Sequence, residues 1–131
     1  MTLTQDQLDQ FSGTEHWYRH WLNSKVLWTD GVQFLAEQGG AYWLIDAIAS
    51  YLINEGLLYE ARRKDGRLNE FQLWELTVNE EQEAKLECRA DTGETPVVRQ
   101  VIDYTDFPLE YVRLYVEPHG RKWVILLPSE H

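Results

Sequence analysis

The chain has one cysteine, Cys88, among its 131 residues. A lone thiol cannot form an intrachain disulfide, and this usage is typical of a reducing compartment. The first residues lack the basic stretch and apolar run of a secretory signal peptide. No run of about 18 apolar residues is present that could cross a bilayer. These absences predict a soluble cytoplasmic protein that does not associate with membranes.

Basic residues are also scarce. Twelve Lys and Arg face 22 Asp and Glu, which gives a formal net charge of −10 at pH 7. A negative field repels phosphate backbones, so no direct nucleic-acid binding is predicted. The chain also lacks the glycine-rich motifs that cradle phosphates, and no cofactor is predicted.

Aromatic residues, in contrast, are plentiful: six Trp, seven Tyr and four Phe. Together with a hydrophobic fraction of 44%, they supply bulky core material. A chain of this length buries roughly two-thirds of the surface that it exposes when unfolded. It therefore needs no disulfide or metal to fold, and residues 1–131 are predicted to form a single domain.

The first half of the chain carries helical patterns. Thr4 and Gln7 have the spacing of a capping box, which predicts a short helix. Further on, apolar residues recur at intervals of three and four on either side of Gly39-Gly40, a pair that can end one helix and turn the chain. The predicted elements are a helix over 4–11, a short strand over 25–28, a helix from Asp30 to the glycine pair and a helix over 41–55, with residues 31–55 forming a helical hairpin.

The second half switches to a period of two, which is typical of strands with one buried and one solvated face. Predicted strands cover residues 74–78, 84–90, 96–104, 112–116 and 123–127. Helices followed by strands indicate the α+β class. The expected architecture is an N-terminal helical hairpin packed on a four- to five-stranded antiparallel sheet with the order of a meander.

A dense aromatic stretch contains Trp17, Tyr18 and Trp21. Trp and Tyr are favoured anchors of protein interfaces, so these three residues are candidates for a contact surface. Large aromatic side chains also dominate core packing, and the sequence leaves that alternative open.

His16 and His20 are four residues apart, and on a helix this spacing would place both imidazoles on one face. Asp30 could complete a metal site with them, but only if the fold brings it back to the pair. Isolated histidine pairs rarely bind metal without further ligands, so two surface or partly buried histidines are the alternative.

Other polar residues allow two interpretations each. Asp46 lies in the most apolar helix, where a buried carboxylate could act as an acid or base, although it also fits a solvated stripe. Asp103 and Asp106 could form a carboxylate pair or simply belong to a turn. The basic cluster Arg62–Arg67 could receive an acidic partner or could be a solvated loop.

Four stretches carry a resemblance to known proteins: GTEHWYR (13–19), TDGVQFLAE (29–37), GAYWLIDAIAS (40–50) and YTDFPL (104–109). Together they resemble a family of small bacterial proteins of unknown function, common in cyanobacteria and on mobile elements. The resemblance implies a single-domain intracellular protein. It carries no established activity, so it assigns no catalytic residue.

The sequence therefore favours a non-enzymatic binding or regulatory protein. Its predicted partner is another protein or a second copy of itself, contacted through Trp17, Tyr18 and Trp21. The alternative hypothesis is a small metal-assisted hydrolase in which His16, His20 and Asp30 hold the ion.

Overall fold

The computed structural model describes residues 2–131. The helices are α1 (Gln5–Asp9), α2 (Asp30–Gly39), α3 (Tyr42–Ile53) and α4 (Leu57–Lys64). The strands are β1 (Tyr18–Arg19), β2 (Val26–Trp28), β3 (Gln72–Val78), β4 (Ala84–Arg89), β5 (Val98–Ile102), β6 (Tyr111–His119) and β7 (Lys122–Leu126). Within this part of the chain, none of the helices has the length and apolar character needed to span a membrane.

The strands form one seven-stranded sheet in the order β1-β2-β7-β6-β3-β4-β5. The α+β class is confirmed, but the prediction of four or five antiparallel strands is wrong. Strands β1 and β2 extend the sheet, and β2 pairs with β7 in parallel. That pairing joins residues almost a hundred positions apart, which the local period of two cannot reveal.

The predicted meander is also wrong, because β6 returns to lie beside β3 instead of β5. The order β6-β3-β4-β5 is that of a Greek key. Its long connection, residues 103–110, passes the β3–β4 loop, where the backbone N–H of Thr105 donates to the carbonyl of Gln82. Further along the connection, the buried ring of Phe107 lies against Gly39 at the end of α2.

The helix boundaries follow local chemistry. The predicted capping box of Thr4 and Gln7 is present at α1. Thr29, and not Asp30, is the N-cap of α2, and Gly40 ends that helix with a φ of +60°. Helix α3 packs against both α2 and α4, so the helical part is more than the predicted two-helix hairpin. A further helix, α4, follows Gly56 and is not among the predicted elements.

The two faces of the sheet have different chemistry. Apolar residues at alternate positions of β3, β4 and β6 form one core with the helices. Cys88 lies on this buried face, and burial raises the pKa of its thiol. The opposite face of the same strands carries polar side chains, and we call it the outer face.

A network of ion pairs crosses the outer face. Glu75 on β3 lies directly opposite Glu87 on β4, which places two carboxylates side by side. Arg89 binds both of them, through Nη1 to Glu75 and through Nη2 to Glu87. Arg113 and Arg99 flank the pair on β6 and β5. The shared Arg89, together with Arg99 and Arg113, therefore offsets two like charges that would otherwise repel each other.

Glu130 forms hydrogen bonds with the first residues of α2 and caps the start of that helix. Glu130 accepts hydrogen bonds from the Thr29 hydroxyl at 2.6 Å and from the backbone N–H of Gly31 at 3.1 Å. It also accepts one from the N–H of Leu127 at 3.0 Å. A carboxylate at this position satisfies free helix N–H groups and complements the helix dipole. A larger residue at Gly31 would displace this carboxylate, because a Cβ atom would lie 2.6 Å from Glu130 Oε1.

Candidate binding groove beside the edge strand

A surface groove lies between α3 and β5 and has a volume of about 690 Å³. Helix α3, strand β5 and the start of the long connection line it together. The lining residues are Trp43, Asp46, Ala47, Gln100, Ile102, Tyr104, Thr105 and Asp106. We call this feature the α3–β5 groove. Gln100 also links β5 to α3, because its side chain accepts a hydrogen bond of 2.8 Å from the Tyr51 hydroxyl.

Gln100 and Ile102, which line the groove, belong to an edge strand of the sheet. Strand β5 pairs with β4 on one side and has no partner strand on the other within residues 2–131. Unpaired backbone N–H and C=O groups on an edge strand are a template for a further extended chain. The α3–β5 groove thus combines a concave surface with backbone groups that can pair.

The side chains of the groove are aromatic and acidic. Trp43 is half-buried, whereas Tyr104 is 69% exposed. Asp46 and Asp106 contribute carboxylates, and no Lys or Arg is present among the lining residues. Aromatic faces and carboxylates both attract cations, so the groove favours a ligand that carries positive charge on an apolar stem.

Asp46 also organises the margin of the groove. Its Oδ1 lies 2.9 Å from His20 Nε2 and 3.3 Å from the indole nitrogen of Trp21. His20 Nδ1 accepts hydrogen bonds from the backbone N–H groups of Leu22 and Asn23, so the ring proton is on Nε2 and is donated to Asp46. These contacts hold the carboxylate of Asp46 in place. The carboxylate is half exposed, which fits the solvated stripe better than a buried acid or base.

The three residues proposed as metal ligands have different partners. His16 Nδ1 lies 3.3 Å from Asp30, while the buried His20 faces Asp46 and uses both ring nitrogens. The i,i+4 argument fails because residues 16–20 do not form a helix. Across residues 2–131, no group of three or more His, Cys, Asp or Glu side chains is arranged to hold an ion.

Asp30 instead fastens the preceding segment to α2. Its Oδ2 accepts from the backbone N–H of Glu15 at 2.8 Å, and its own N–H donates to the Thr14 hydroxyl at 2.9 Å. The hydrogen bond from Glu15, and then that from His16, lowers the pKa of Asp30 below its ordinary value of 3.8.

This shift predicts an acid-sensitive contribution of Asp30 to stability. A carboxyl whose folded pKa is depressed stabilises the fold above its unfolded pKa, and the contribution is lost as pH falls through the folded pKa. The melting temperature of the wild type should therefore fall more steeply below about pH 4 than that of Asp30→Asn. Circular dichroism melts between pH 7 and pH 3 measure this. Asp103→Asn is the control and should keep the wild-type slope, and parallel curves for wild type and Asp30→Asn would contradict the role of Asp30.

The aromatic interface candidates lie in three environments. Trp21 is 73% exposed and stacks on His20 beside the α3–β5 groove. Tyr18 is half-buried and stacks on Trp28 in the core. Trp17 is 49% exposed and stacks on His119 on the outer face of the sheet. The three residues therefore do not form one continuous patch.

The sequence did not indicate the α3–β5 groove. Tyr104 falls at the end of the strand predicted over 96–104, and Asp106 is predicted only as part of a carboxylate pair or of a turn. An aromatic residue beside Asp103 is the one local signal in the sequence. The groove itself depends on which strand lies at the edge of the sheet, and residue patterns within one strand do not specify that.

The fold and groove define an α+β protein with a seven-stranded mixed sheet and a candidate ligand surface at its free edge. The model of a family of unknown function, DUF6876, matches residues 2–131. The chain belongs to that family. Searches of curated proteins and of solved structures gave no match.

Proposed function

We propose that the protein is a non-enzymatic, cytoplasmic binding module that takes an extended, positively charged segment of a partner protein into the α3–β5 groove. One observation carries the proposal: β5, a strand with an unpaired edge, lines a groove that contains two carboxylates and two aromatic rings. The single buried thiol supports the intracellular location.

Strand addition is the binding mode that this geometry favours. An extended segment would pair its backbone with β5, as peptides do at other exposed sheet edges. Its alternate side chains, about 7 Å apart, would point toward α3. Every second residue could then contact the groove, while backbone pairing supplies affinity without sequence preference.

Charge determines which segments are accepted. Lys and Arg side chains can lay their aliphatic stems along Trp43 and Tyr104 and place their charge near Asp46 and Asp106. An acidic segment would meet two carboxylates and the overall charge of −10. The exposed ring of Trp21, which is bonded to Asp46, would enlarge the contact at one end of the groove.

Display of random linear peptides against the immobilised protein tests this proposal. We expect enrichment of Lys and Arg at alternate positions, and affinity that weakens as salt is raised. Asp46→Asn and Asp106→Asn should each weaken a selected peptide about tenfold, because each removes a charge-assisted contact. Methylation of alternate backbone nitrogens in that peptide should abolish binding.

Asp103→Asn is the matched control, because Asp103 is exposed and does not line the groove. It should leave affinity unchanged while the thermal melts of all three variants stay close to the wild type. Three results would each refute the proposal: failure to enrich any sequence, enrichment of acidic sequences, or equal weakening by Asp103→Asn. A stable dimer in sedimentation equilibrium that Asp46→Asn dissociates would assign the groove to a second copy of the chain instead.

A further inference from the structure

A second surface, at the opposite end of the sheet, has the reverse charge. Trp17, Arg19, Leu27, His119, Arg121 and Lys122 line a groove of about 550 Å³. We call it the cationic groove. It lies near β1, the edge strand farthest from β5 in the sheet order.

Strand alternation explains why these side chains meet. Arg19 on β1 is paired in register with Leu27 on β2, and Leu27 with Val124 on β7. Lys122 is two residues from Val124 and therefore shares its face of the sheet. Gly120 and Arg121 form the two-residue turn between β6 and β7, and a positive φ at Gly120 alone fits a type II′ turn.

The cations of this groove have no acidic partner. Within residues 2–131, Arg19, Arg121 and Lys122 take part in no ion pair. Glu117, which is on the same face of β6 as His119, is bound by the imidazole of His131 at 3.2 Å. Three uncompensated cations in a chain of net charge −10 create a local positive field that attracts anions.

The groove also offers an aromatic surface. The indole of Trp17 is half exposed, and its ring centroid lies 5.0 Å from that of His119, with the two planes inclined by 30°. Contact with His119 limits the orientations of Trp17. Exposed indoles held in this way stack on planar heteroaromatic rings.

We propose that the cationic groove binds a nucleotide, with its phosphates on Arg19, Arg121 and Lys122 and its base on Trp17. Guanidinium groups match phosphate oxygens in a bidentate geometry. No glycine-rich loop is needed, because side chains supply the positive charge. The site is independent of the peptide groove proposed above.

A compact ligand fits this surface better than a nucleic-acid strand does. At physiological salt the Debye length is about 8 Å, so a nucleotide experiences mainly the local cations. A strand of several nucleotides would extend beyond this range over the acidic remainder of the surface. The inference is therefore compatible with the prediction that the protein does not bind nucleic acid directly.

Isothermal titration calorimetry in 150 mM salt without divalent cations tests the proposal, with AMP, ADP, ATP, tripolyphosphate and a 12-nucleotide single strand as probes. Affinity should rise from AMP to ATP as phosphates are added. ATP should bind about tenfold more tightly than tripolyphosphate, because only ATP has a base to stack. The 12-nucleotide strand should bind more weakly than ATP.

Variants separate the two contributions. Trp17→Leu should remove the advantage of ATP over tripolyphosphate, whereas Lys122→Gln and Arg121→Gln should each weaken both probes about tenfold. Lys85→Gln is the control, because this exposed cation on β4 lies outside the cationic groove. If Trp17→Leu does not fold, the two glutamine variants and the series of probes still test whether the cationic groove binds a nucleotide. No binding of ATP at millimolar concentration, equal affinity for ATP and tripolyphosphate, or tighter binding of the 12-nucleotide strand would each overturn the proposal.

Discussion

Replacement of Arg89 by methionine is expected to lower the free energy of unfolding by about 3 kcal/mol. Arg89 is the shared partner of Glu75 and Glu87, which are paired across β3 and β4. The side chains of Arg89, Glu75 and Glu87 are 18%, 16% and 10% exposed, so water cannot take over the role of the guanidinium. Methionine preserves the aliphatic stem and removes the charge. The two adjacent carboxylates then keep only Arg113, 3.7 Å from Glu75, and the exposed Arg99, 3.2 Å from Glu87, as cationic partners. Urea denaturation at pH 7 measures the loss.

Arg99→Met is the matched control for this prediction. Arg99 binds the same Glu87, at 3.2 Å, but its side chain is 60% exposed. Exposed ion pairs contribute less than about 1 kcal/mol, so this variant should be close to the wild type. Adding Glu87→Met to Arg89→Met should restore part of the lost stability, because it removes the repulsion. Equal losses of unfolding free energy in Arg89→Met and Arg99→Met would contradict the prediction that the less exposed arginine contributes more.

Gly31→Ala is the second change with a large expected effect, a loss of about 2–3 kcal/mol in the free energy of unfolding. A Cβ atom at this position would lie 2.6 Å from both Glu130 Oε1 and Leu127 Cδ1. The Glu130 carboxylate cannot move away freely, because it holds the Thr29 hydroxyl and the backbone N–H of Gly31. Thermal or urea unfolding monitored by far-UV circular dichroism measures the loss.

A double-mutant cycle shows whether the clash is responsible. In a Glu130→Ala background the obstructing carboxylate is gone, so Gly31→Ala should cost less than it does in the wild type. Gly13→Ala is the control, since nothing lies within 4 Å of a Cβ atom at Gly13. Full additivity of Gly31→Ala and Glu130→Ala would mean that the clash with Glu130 is not the cause.

The sequence predicted those elements that depend on neighbouring residues. The capping box of Thr4 and Gln7 forms the start of α1 because its two hydrogen bonds are local. The alternation in β3 and β4 is equally local, and the two strands pair as an antiparallel hairpin. The strands predicted over 112–116 and 123–127 lie within β6 and β7, which pair as antiparallel neighbours across a short turn.

The features that the sequence did not predict depend on distant pairings. The short strand predicted over 25–28 is present as β2, but its pairing with β7 depends on residues almost a hundred positions away, which no pattern near residue 26 indicates. The position of β6 beside β3 leaves β5 at the edge, and that placement creates the α3–β5 groove. His16 and His20 are grouped by their spacing, yet in the fold His16 faces Asp30 and His20 faces Asp46.

The parallel pairing of β2 with β7 has a consequence for biosynthesis. Residues 26–28 can pair with β7 only after residues 123–125 have left the ribosome. Glu130, which caps α2, is synthesised later still. Until then the nascent chain exposes the apolar faces of β2 and α2 without their final cover. Closing such distant contacts is slow, so a nascent-chain chaperone has a defined interval in which to act on the N-terminal third.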